Sequence, residues 1–418
     1  MTASAGRLLL LVCLAFGVAP GALAADAQTL TLDRALELAE QNSPRLKTAL
    51  AELERARSGI QTASAYPNPE IEASTGGVRA RVPGVASGNG VTVSIGQPID
   101  LPSQRTPRIR AAQAGFDGAR LALLEARMRL RADVKQAYYL IMRRKAEHDL
   151  LLDNQRLLQQ TRDRIALSVN VGERAKFELV RIEAELANAT NQAASAGLRV
   201  LQAVAQLRPL MGVNLPAETM VTRELHDSVG EASYDALFVQ MMERYPGMRR
   251  AQAAVDQAQN RLESERALKV PRPTLFAGID REPEQQRALF GVSIPIPVWN
   301  QRQGPIGEAL ASFQQATSLA EETRLGLRGE LEVAYNRLLV ARQQITAYEG
   351  GLLRQAESAL RVAEAAFRYG ERGFLEVLDA QRVLRGVRTD FLNARFDRQA
   401  AIVEIERLTA RDIPESAP

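Results

Sequence analysis

The positions of proline restrict the fold of this chain more than any other sequence feature. The 418 residues include 19 prolines, yet none lies between Pro107 and Pro209 and none between Pro305 and Pro414. A proline inside a helix removes a backbone hydrogen bond and costs about 3 kcal/mol or more. Both proline-free blocks are rich in Ala, Leu, Arg, Glu and Gln, which are strong helix formers. The sequence therefore predicts two long helical segments.

Each block contains a glycine at which the chain can reverse direction. The tripeptide Gly-Glu-Arg occurs at Gly172 and again at Gly370, and a new apolar pattern follows it each time. Glycine adopts the left-handed conformation that ends many helices. We therefore predict that each block is a helical hairpin. The first arms, Arg108 to about Ala166 and Ile306 to about Ala366, would each be close to 90 Å long at about 1.5 Å per residue.

The two hairpins belong to two copies of a larger repeat. The segment "DRALELAEQNSPRL" from Asp33 is similar to "DALFVQMMERYPGM" from Asp235, and "DVKQAY" from Asp133 is similar to "ELEVAY" from Glu330. Matches in the same order indicate one structural unit used twice: helix, strand pair, long helix, tip and shorter helix. The predicted segments are a signal peptide (1–24), a first repeat (25–212, tip at about 168–175), a linker (213–233), a second repeat (234–411, tip at about 366–374) and a tail (412–418).

Each copy contains a pair of predicted strands. Apolar residues alternate with mostly polar ones, as along Val91, Val93 and Ile95, which is the pattern of a strand with two different faces. The segments are close to the roughly 9 to 11 residues that cross a bilayer as a tilted strand. The predicted strands lie at about 70–79, 90–99, 273–281 and 288–297.

Four strands from one chain cannot close a barrel in a membrane. Every open edge would leave backbone donors and acceptors unpaired in hydrocarbon, and closure needs at least about eight strands. Several chains must therefore share one barrel, and three chains would supply about twelve strands. Prolines such as Pro98 and Pro297 lie where strand becomes helix, and Trp299 suits an aromatic belt. The alternative is a pair of soluble hairpins packed on a helical domain.

The first 24 residues have the three parts of a secretory signal peptide. Arg7 precedes an apolar run, Leu8 to Ala19, and Ala22-Leu23-Ala24 has the small residues of a cleavage site. The alternative, a membrane anchor, would need about 20 apolar residues. Cys13, the single cysteine, lies inside the run and lacks the small residues of a lipoprotein site before it. We therefore expect a mature chain without cysteine, disulfide or lipid anchor.

Composition and motifs argue against several classes of function. The 53 basic and 49 acidic residues nearly balance, whereas a nucleic-acid-binding protein would need a concentrated basic stripe. His148 and His226 are the only histidines, and without cysteine they make a poor transition-metal site. The sequence contains no P-loop and no G-x-S-x-G motif. We therefore expect neither an enzyme nor a cofactor nor a bound metal.

The signal, the repeat, the proline-bounded strand pairs, "RPLMGVNLP" from Arg208 and "YGERGFLEVLDAQRVL" from Tyr369 together resemble the TolC-type outer-membrane factors. The resemblance covers about Leu30 to Ala410. It implies a mainly α-helical chain with transmembrane β-strands, assembled as a homotrimer in outer-membrane lipid. A 12-stranded β-barrel, four strands per chain, would continue into a periplasmic α-helical barrel. The implied partners are a periplasmic adaptor and an inner-membrane pump of the RND type.

A second resemblance concerns the cargo. The segment "SIPIPVWNQRQGPIGEA", from Ser293 to Ala309, is similar to the heavy-metal (CzcC-like) branch of that family, although the lipidated cysteine of many relatives is missing. Heavy-metal cations are therefore the first expected cargo, with drugs and then secreted peptides as alternatives. Two other classes compete: a periplasmic adaptor, which normally has one hairpin between β-rich halves, and a secreted helical scaffold, which would not explain the strand pairs.

The resemblance also assigns roles to residues at the tips. Glu376 and Asp379 are three residues apart and share one helical face, and they match the inward acidic positions of the family's constriction. Arg372 matches a basic residue that, in relatives, ties neighbouring helices shut. The first copy has Glu178 and Arg181 at the acidic positions, so only the second copy keeps the pair. The alternative is that the two acids merely solvate a helix end. The predicted adaptor-contacting residues are Val171, Gly172, Tyr369 and Gly370.

Overall fold

The computed structural model of the protein describes residues 29–79, 81, 83–84, 86–216, 219–222 and 229–411. The predicted signal peptide with Cys13, the tail at 412–418 and His226 lie outside the described residues. The fold is mainly α-helical with one four-stranded antiparallel sheet, which confirms the predicted fold class. The elements of the first copy are α1 (Leu32–Asn42), α2 (Pro44–Ser64), β1 (Glu70–Val78), β2 (Gly88–Pro98), α3 (Pro102–Asn170) and α4 (Lys176–Met211).

The second copy repeats this order with one change in its long arm. Its elements are α5 (Tyr234–Arg244), α6 (Pro246–Ala267), β3 (Thr274–Arg281), β4 (Gln286–Ser293), α7 (Gln303–Ala347), a π-helical segment (Tyr348–Leu352), α8 (Leu353–Arg368) and α9 (Phe374–Thr409).

The two copies begin with the same local structure. The hydroxyls of Thr31 and Ser233 cap α1 and α5, each accepting a hydrogen bond from the backbone N–H three residues later (3.2 and 3.4 Å). Such caps satisfy donors that the helix itself leaves unpaired. The next helices both start on a proline, Pro44 in α2 and Pro246 in α6. Proline suits that position because its missing N–H would have no helical partner there.

The helices form an array around α3, which has 69 residues. Toward the sheet, α3 packs between α2 and α6, and toward the tips it packs between α4 and α9. The second long arm, α7 and α8, packs on α6 and α9. Within the part of the chain that the structure describes, no helix is both long enough and apolar enough to span a membrane.

Between the sheet and the tips, the linker is held against α3. Val221 forms a parallel bridge with Leu30, and both side chains are buried. The hydroxyl of Tyr138, itself 1% exposed, donates a hydrogen bond to the carbonyl of Leu30 (2.9 Å) and accepts one from the backbone N–H of Thr222 (3.0 Å). The described part of the linker is therefore fixed to the middle of the helical array.

Buried polar groups also connect helices of the two copies. The ammonium of Lys135 in α3 lies 2.6 Å from the carboxylate of Glu406 in α9, and the two residues are only 7% and 6% exposed. The hydroxyl of Tyr245 donates to Glu125 (3.3 Å) and accepts from Arg407 (3.0 Å). Burial, together with the charge of Glu125, raises the pKa of Tyr245. These contacts connect α3, the junction between α5 and α6, and α9 across the two copies.

The sheet has the strand order β1-β2-β3-β4, and its centre joins the first copy to the second. All three pairs are antiparallel, and β2 pairs with β3 along eight residue pairs from Val91–Arg281 to Pro98–Thr274. The outer edges of β1 and β4 face no other strand among the described residues. Within the described residues, one chain thus supplies a four-stranded strip of sheet with two open edges.

The two faces of the sheet differ in chemistry. Directly paired residues share a face, so the register separates the two sets. The apolar face carries exposed side chains, namely Ile71, Val91, Val93, Ile95, Leu275, Ile279, Phe290 and Val292. On the other face, the hydroxyl of Thr92 donates to Asp280 (2.9 Å), which also accepts from Arg287 (2.9 Å). Gly291 lies under the ring of Phe276, where a Cβ would come within 2.4 Å of the ring.

The fourth strand ends earlier than the sequence indicated. We predicted a strand to about 297, but β4 ends at Ser293. Pro295 and Pro297 have no backbone N–H and cannot donate to a neighbouring strand, which explains the early end. The following segment leaves the sheet, and Ile296 and Trp299 are 80% and 93% exposed in the single chain.

The second long arm is not the single helix that we predicted from Ile306 to about Ala366. Helix α7 ends at Ala347, and the π-helical segment joins it to α8. Inside this segment the backbone of Gly351 leaves the helical region, at φ 165° and ψ −27°. The first arm, by contrast, is continuous from Pro102, and it accommodates Pro107 near its start.

Candidate functional site at the hairpin tips

The two hairpin turns have the same backbone geometry. Gly172 (φ 82°) and Gly370 (φ 76°) adopt the left-handed conformation. In each turn, the N–H of the residue after the glycine bonds to the carbonyl five positions earlier (Glu173 to Ser168 and Glu371 to Ala366, both 2.9 Å). This 6→1 bond is the Schellman pattern, which favours glycine. Beside the glycines, Val171 and Tyr369 are 63% and 79% exposed, so both tips present an apolar side chain to the outside.

The two tips of one chain contact each other. The guanidinium of Arg174, at the first tip, lies over the ring of Phe367, at the second, 3.9 Å from its centroid. Phe367 also contacts Phe374 at the start of α9, with ring centroids 5.5 Å apart. A buried apolar cluster continues this contact between the hairpins; it consists of Leu158, Ile165, Ile182, Ala189, Phe374, Val377 and Leu378.

The packing of this cluster fixes the orientation of the acidic pair, Glu376 and Asp379. Phe374, Val377 and Leu378 are buried on one side of α9, so Glu376 and Asp379 lie on the opposite, exposed side. The side chain of Asp379 is 74% exposed, and that of Glu376 is 45% exposed. The two carboxylates therefore form one acidic strip along the first turns of α9.

Two arginines accompany this strip. Arg372 Nη1 lies 3.9 Å from Glu376 Oε1, one turn before it. Arg382 Nη1 lies 3.7 Å from Asp379 Oδ1, and the same guanidinium bonds to Glu185 of α4. Arg382 thus ties the second tip to the first hairpin of the same chain. Our sequence reading missed Arg382 and Arg174 because each contact joins residues nearly 200 positions apart, although Arg174 occupies the position that matches Arg372.

The first copy arranges its matching residues differently. Glu178 pairs with Arg174, with 3.1 Å between its carboxylate and the guanidinium, and Arg181 replaces the second acid. The first tip therefore carries more positive charge than the second. The acidic strip belongs to the second copy alone.

A groove runs beside the strip, between α8 and α9. Its volume is about 540 Å³. Small side chains of α8, including Ser358, Ala359 and Ala366, form its floor, and Arg372 and Glu376 stand at one end. Small residues allow the backbone of another helix to approach closely, so the groove can accept a helix from a partner.

The described residues give no support for a resident metal ion. No group of three or more His, Cys, Asp or Glu side chains in these parts of the chain is placed to hold one. His148 lies on α3 against Gly197 of α4, with Nε2 3.4 Å from the position that a Cβ there would take. The two carboxylates of one acidic strip are fewer than the roughly six to eight oxygen ligands that surround a calcium ion in proteins.

Comparison with known proteins agrees with this architecture. Residues 35–213 and 237–411 match the family described as outer membrane efflux protein. The cobalt-zinc-cadmium resistance protein CzcC of Cupriavidus metallidurans is 27% identical over 384 residues, which are 91% of this chain and 90% of that protein.

Two solved structures share the fold. CusC superposes with a TM-score of 0.77 at 18% identity, covering 90% of this chain and 91% of that chain. The Campylobacter jejuni CmeC outer membrane channel superposes with a TM-score of 0.78 at 17% identity, covering 93% and 87%. The two matches to the family fall on the two copies of the repeat, and this assignment confirms that the chain is not an enzyme. The chain belongs to the outer membrane efflux protein family.

Proposed function

We propose that this outer-membrane efflux channel is the exit duct of a tripartite system that exports heavy-metal cations. It would work with a periplasmic adaptor and an inner-membrane RND-type pump, after secretion with a cleaved signal peptide. The observation that supports the channel part of this proposal is the structure of the sheet. It has one apolar face, one polar face and two open edges, as expected for one segment of a barrel shared between chains.

The open edges favour a homotrimer. In our proposal, β4 of one chain pairs with β1 of the next, as β2 pairs with β3 inside the chain. Three chains then close a barrel of about twelve strands, with the apolar face toward lipid and the polar face toward the lumen. The exposed Trp299 and Ile296 would lie at the membrane surface or against the neighbouring chain. The long helices would continue the duct into the periplasm.

We expect arginine to reduce trimer formation when it is placed on the apolar face of β1 but not when it is placed on the polar face. Ala73 and Ser74 are neighbours on the strand, with Ala73 on the apolar face and Ser74 on the polar one. Ala73→Arg should reduce heat-resistant trimers in detergent extracts of the outer membrane, because arginine on a lipid-facing position costs about 2–4 kcal/mol near the membrane centre. Ser74→Arg, the matched control, should leave them nearly unchanged. Equal trimer yields for both variants, or native protein found as a soluble periplasmic monomer, would contradict the proposed barrel.

The tips support the proposed partners. Val171, Gly172, Tyr369 and Gly370 form the exposed ends of the hairpins, and the groove between α8 and α9 is open beside them. We propose that the adaptor docks here. In a trimer, the acidic strips of three second-copy tips would surround the pore, and docking would shift the population from closed to open.

The cargo is inferred from the relative. CzcC is a cobalt-zinc-cadmium resistance protein by name, and its similarity to this chain extends over nearly all of both proteins. A ring of carboxylates at the tips would favour cations. A duct also has to release what it conducts, which is consistent with an acidic strip rather than a metal-binding cage.

Growth of a strain lacking this chain tests the proposal. We expect increased sensitivity to zinc, cobalt, nickel or cadmium salts and little change toward lipophilic drugs. The same strain carrying the native chain on a plasmid is the control and should regain resistance. Sensitivity confined to drugs would contradict the metal cargo while leaving the channel intact. Unchanged growth on every metal and drug would contradict the role as an exit duct.

A further inference from the structure

Between a matching tyrosine and the tip glycine, the long arm of the second copy is one residue longer than that of the first. Tyr138 and Tyr335 occupy matching positions in α3 and α7, 197 residues apart, whereas the tip glycines Gly172 and Gly370 are 198 residues apart. The burial pattern follows both offsets. Before the extra residue, the copies match at an offset of 197, so Ile141 corresponds to Leu338. After it, they match at an offset of 198, so Leu158 corresponds to Ala356. All four side chains are buried. One residue has therefore been inserted between these two levels.

The structure locates this insertion. Helix α3 is uninterrupted from Pro102 to Asn170, whereas the second arm contains the π-helical segment Tyr348–Leu352 between the same two levels. Because the backbone of Gly351 leaves the helical region inside it, this segment, called the bulge below, is a kink between two helices that accommodates the extra residue. Sharp helix kinks occur at glycine pairs and at π-bulges. The sequence of the bulge, Tyr-Glu-Gly-Gly-Leu, includes two adjacent glycines, which are poor helix formers.

The bulge has little packing to hold it. None of its five residues is buried. A Cβ on Gly350 would meet no heavy atom within 4 Å, and one on Gly351 would meet only the side chain of Gln355, at 3.9 Å. Its described aromatic contact is Tyr348 against Phe391 of α9, with ring centroids 5.9 Å apart. Segments with few buried contacts move at low cost in free energy.

The arm beyond the bulge leads directly to the acidic strip. Helix α8 has one buried residue, Ala356, and it ends at the turn that precedes Arg372 and Glu376. Near the tip, Phe367 of α8 contacts Phe374 of α9, with ring centroids 5.5 Å apart, so a movement of α8 would be passed on to the start of α9. The insertion and the acidic pair are thus both found in the second copy and both absent from the first.

We propose that the π-helical segment Tyr348–Leu352 is a hinge, on which α8 and the second tip move relative to α7 when the channel opens. The first hairpin, with its continuous α3, acts as the fixed wall. This inference rests on the proposed function, because it assumes that the second-copy tips form the constriction. It assigns the movement to one bulge and not to uniform bending of both hairpins.

Deleting Gly351 tests the hinge, because it restores the length of the first-copy arm and should convert the bulge to a continuous α-helix. We expect assembled trimers whose open probability in planar bilayers is about tenfold lower than that of native channels, with reduced zinc resistance in cells. Gly350→Ala with Gly351→Ala keeps the length and should lower opening in the same direction. The matched control is Gly326→Ala with Gly329→Ala in α7, where added Cβ atoms also meet nothing within 4 Å.

The outcomes separate the hinge from the function on which it rests. Native opening in the deletion variant, or equal losses in the hinge and control variants, would overturn the hinge. If the deletion variant fails to assemble, the open probability of the Gly350→Ala, Gly351→Ala variant is compared with that of the control variant instead. Equal open probabilities for these two variants would overturn the hinge. A strain without the chain that grows normally on zinc would contradict the metal cargo instead, and the bilayer comparison would still stand because conductance does not depend on the cargo.

Discussion

Replacing both Glu376 and Asp379 with alanine is expected to lower the cation selectivity of the channel strongly. In the proposed trimer these residues place a ring of carboxylates around the narrowest part of the pore, where fixed negative charge attracts cations and repels anions. Both side chains are exposed in the single chain, so nothing within the chain blocks access to them. We expect the cation-to-anion permeability ratio to fall roughly tenfold, equivalent to about 1.4 kcal/mol, as measured by reversal potentials in asymmetric salt.

A charge-conserving exchange controls for changes in shape. Glu376→Asp combined with Asp379→Glu keeps both carboxylates and moves each by about one methylene, so selectivity should stay close to that of the native channel. High salt should reduce the difference between the native and alanine channels, because screening weakens interactions between exposed charges. Unchanged reversal potentials in the alanine variant would remove Glu376 and Asp379 from the constriction.

The second large effect concerns the stability of the chain. Lys135→Met should lower the free energy of unfolding by roughly 3 kcal/mol, because it removes the cation that faces the buried carboxylate of Glu406. The 2.6 Å separation and the low exposure of both residues place the pair where water cannot replace the missing charge. Unfolding of the detergent-solubilised protein in guanidinium, followed by circular dichroism, measures the loss.

An exposed ion pair provides the comparison. Arg324 and Glu321 form a surface pair on α7, 2.7 Å apart with both side chains about half exposed. Arg324→Met should therefore cost less than about 1 kcal/mol. Adding Glu406→Leu to Lys135→Met should recover part of the lost stability, because the buried charge is then removed. Equal losses for the Lys135 and Arg324 single variants would show that the buried pair contributes no more to the free energy of unfolding than the exposed pair does.

Local sequence patterns predicted most of this architecture. The absence of proline from two long blocks predicts α3 and most of the second arm, since helix propensity and hydrogen bonding are local properties. The alternation along Val91, Val93 and Ile95 predicts a two-faced strand for the same reason, and the exposed positions of these side chains agree with it. Glycine in the left-handed region at both tips follows from the geometry of a helix end.

The remaining features depend on contacts between distant residues. The Lys135–Glu406 pair joins residues 271 positions apart, and one sequence gives no signal that they meet. The stack of Arg174 on Phe367 is of the same kind. The bulge at Tyr348–Leu352 did leave a signal, the change of offset between the copies from 197 to 198 residues. We predicted a single helix because two adjacent glycines in a block without proline do not by themselves mark a break.

The open edges of the sheet also bear on how the channel is made. A single chain crossing the periplasm would expose unpaired backbone groups along β1 and β4 together with an apolar face, a combination that invites pairing with the wrong chain. A barrel made from one polypeptide contains every strand that it needs for closure, whereas in the proposed trimer the sheet of each chain depends on its neighbours. For a barrel shared between chains, as we propose, assembly requires that the strands stay protected until other copies are present, and the concentration of newly secreted copies should limit the rate at which working channels appear.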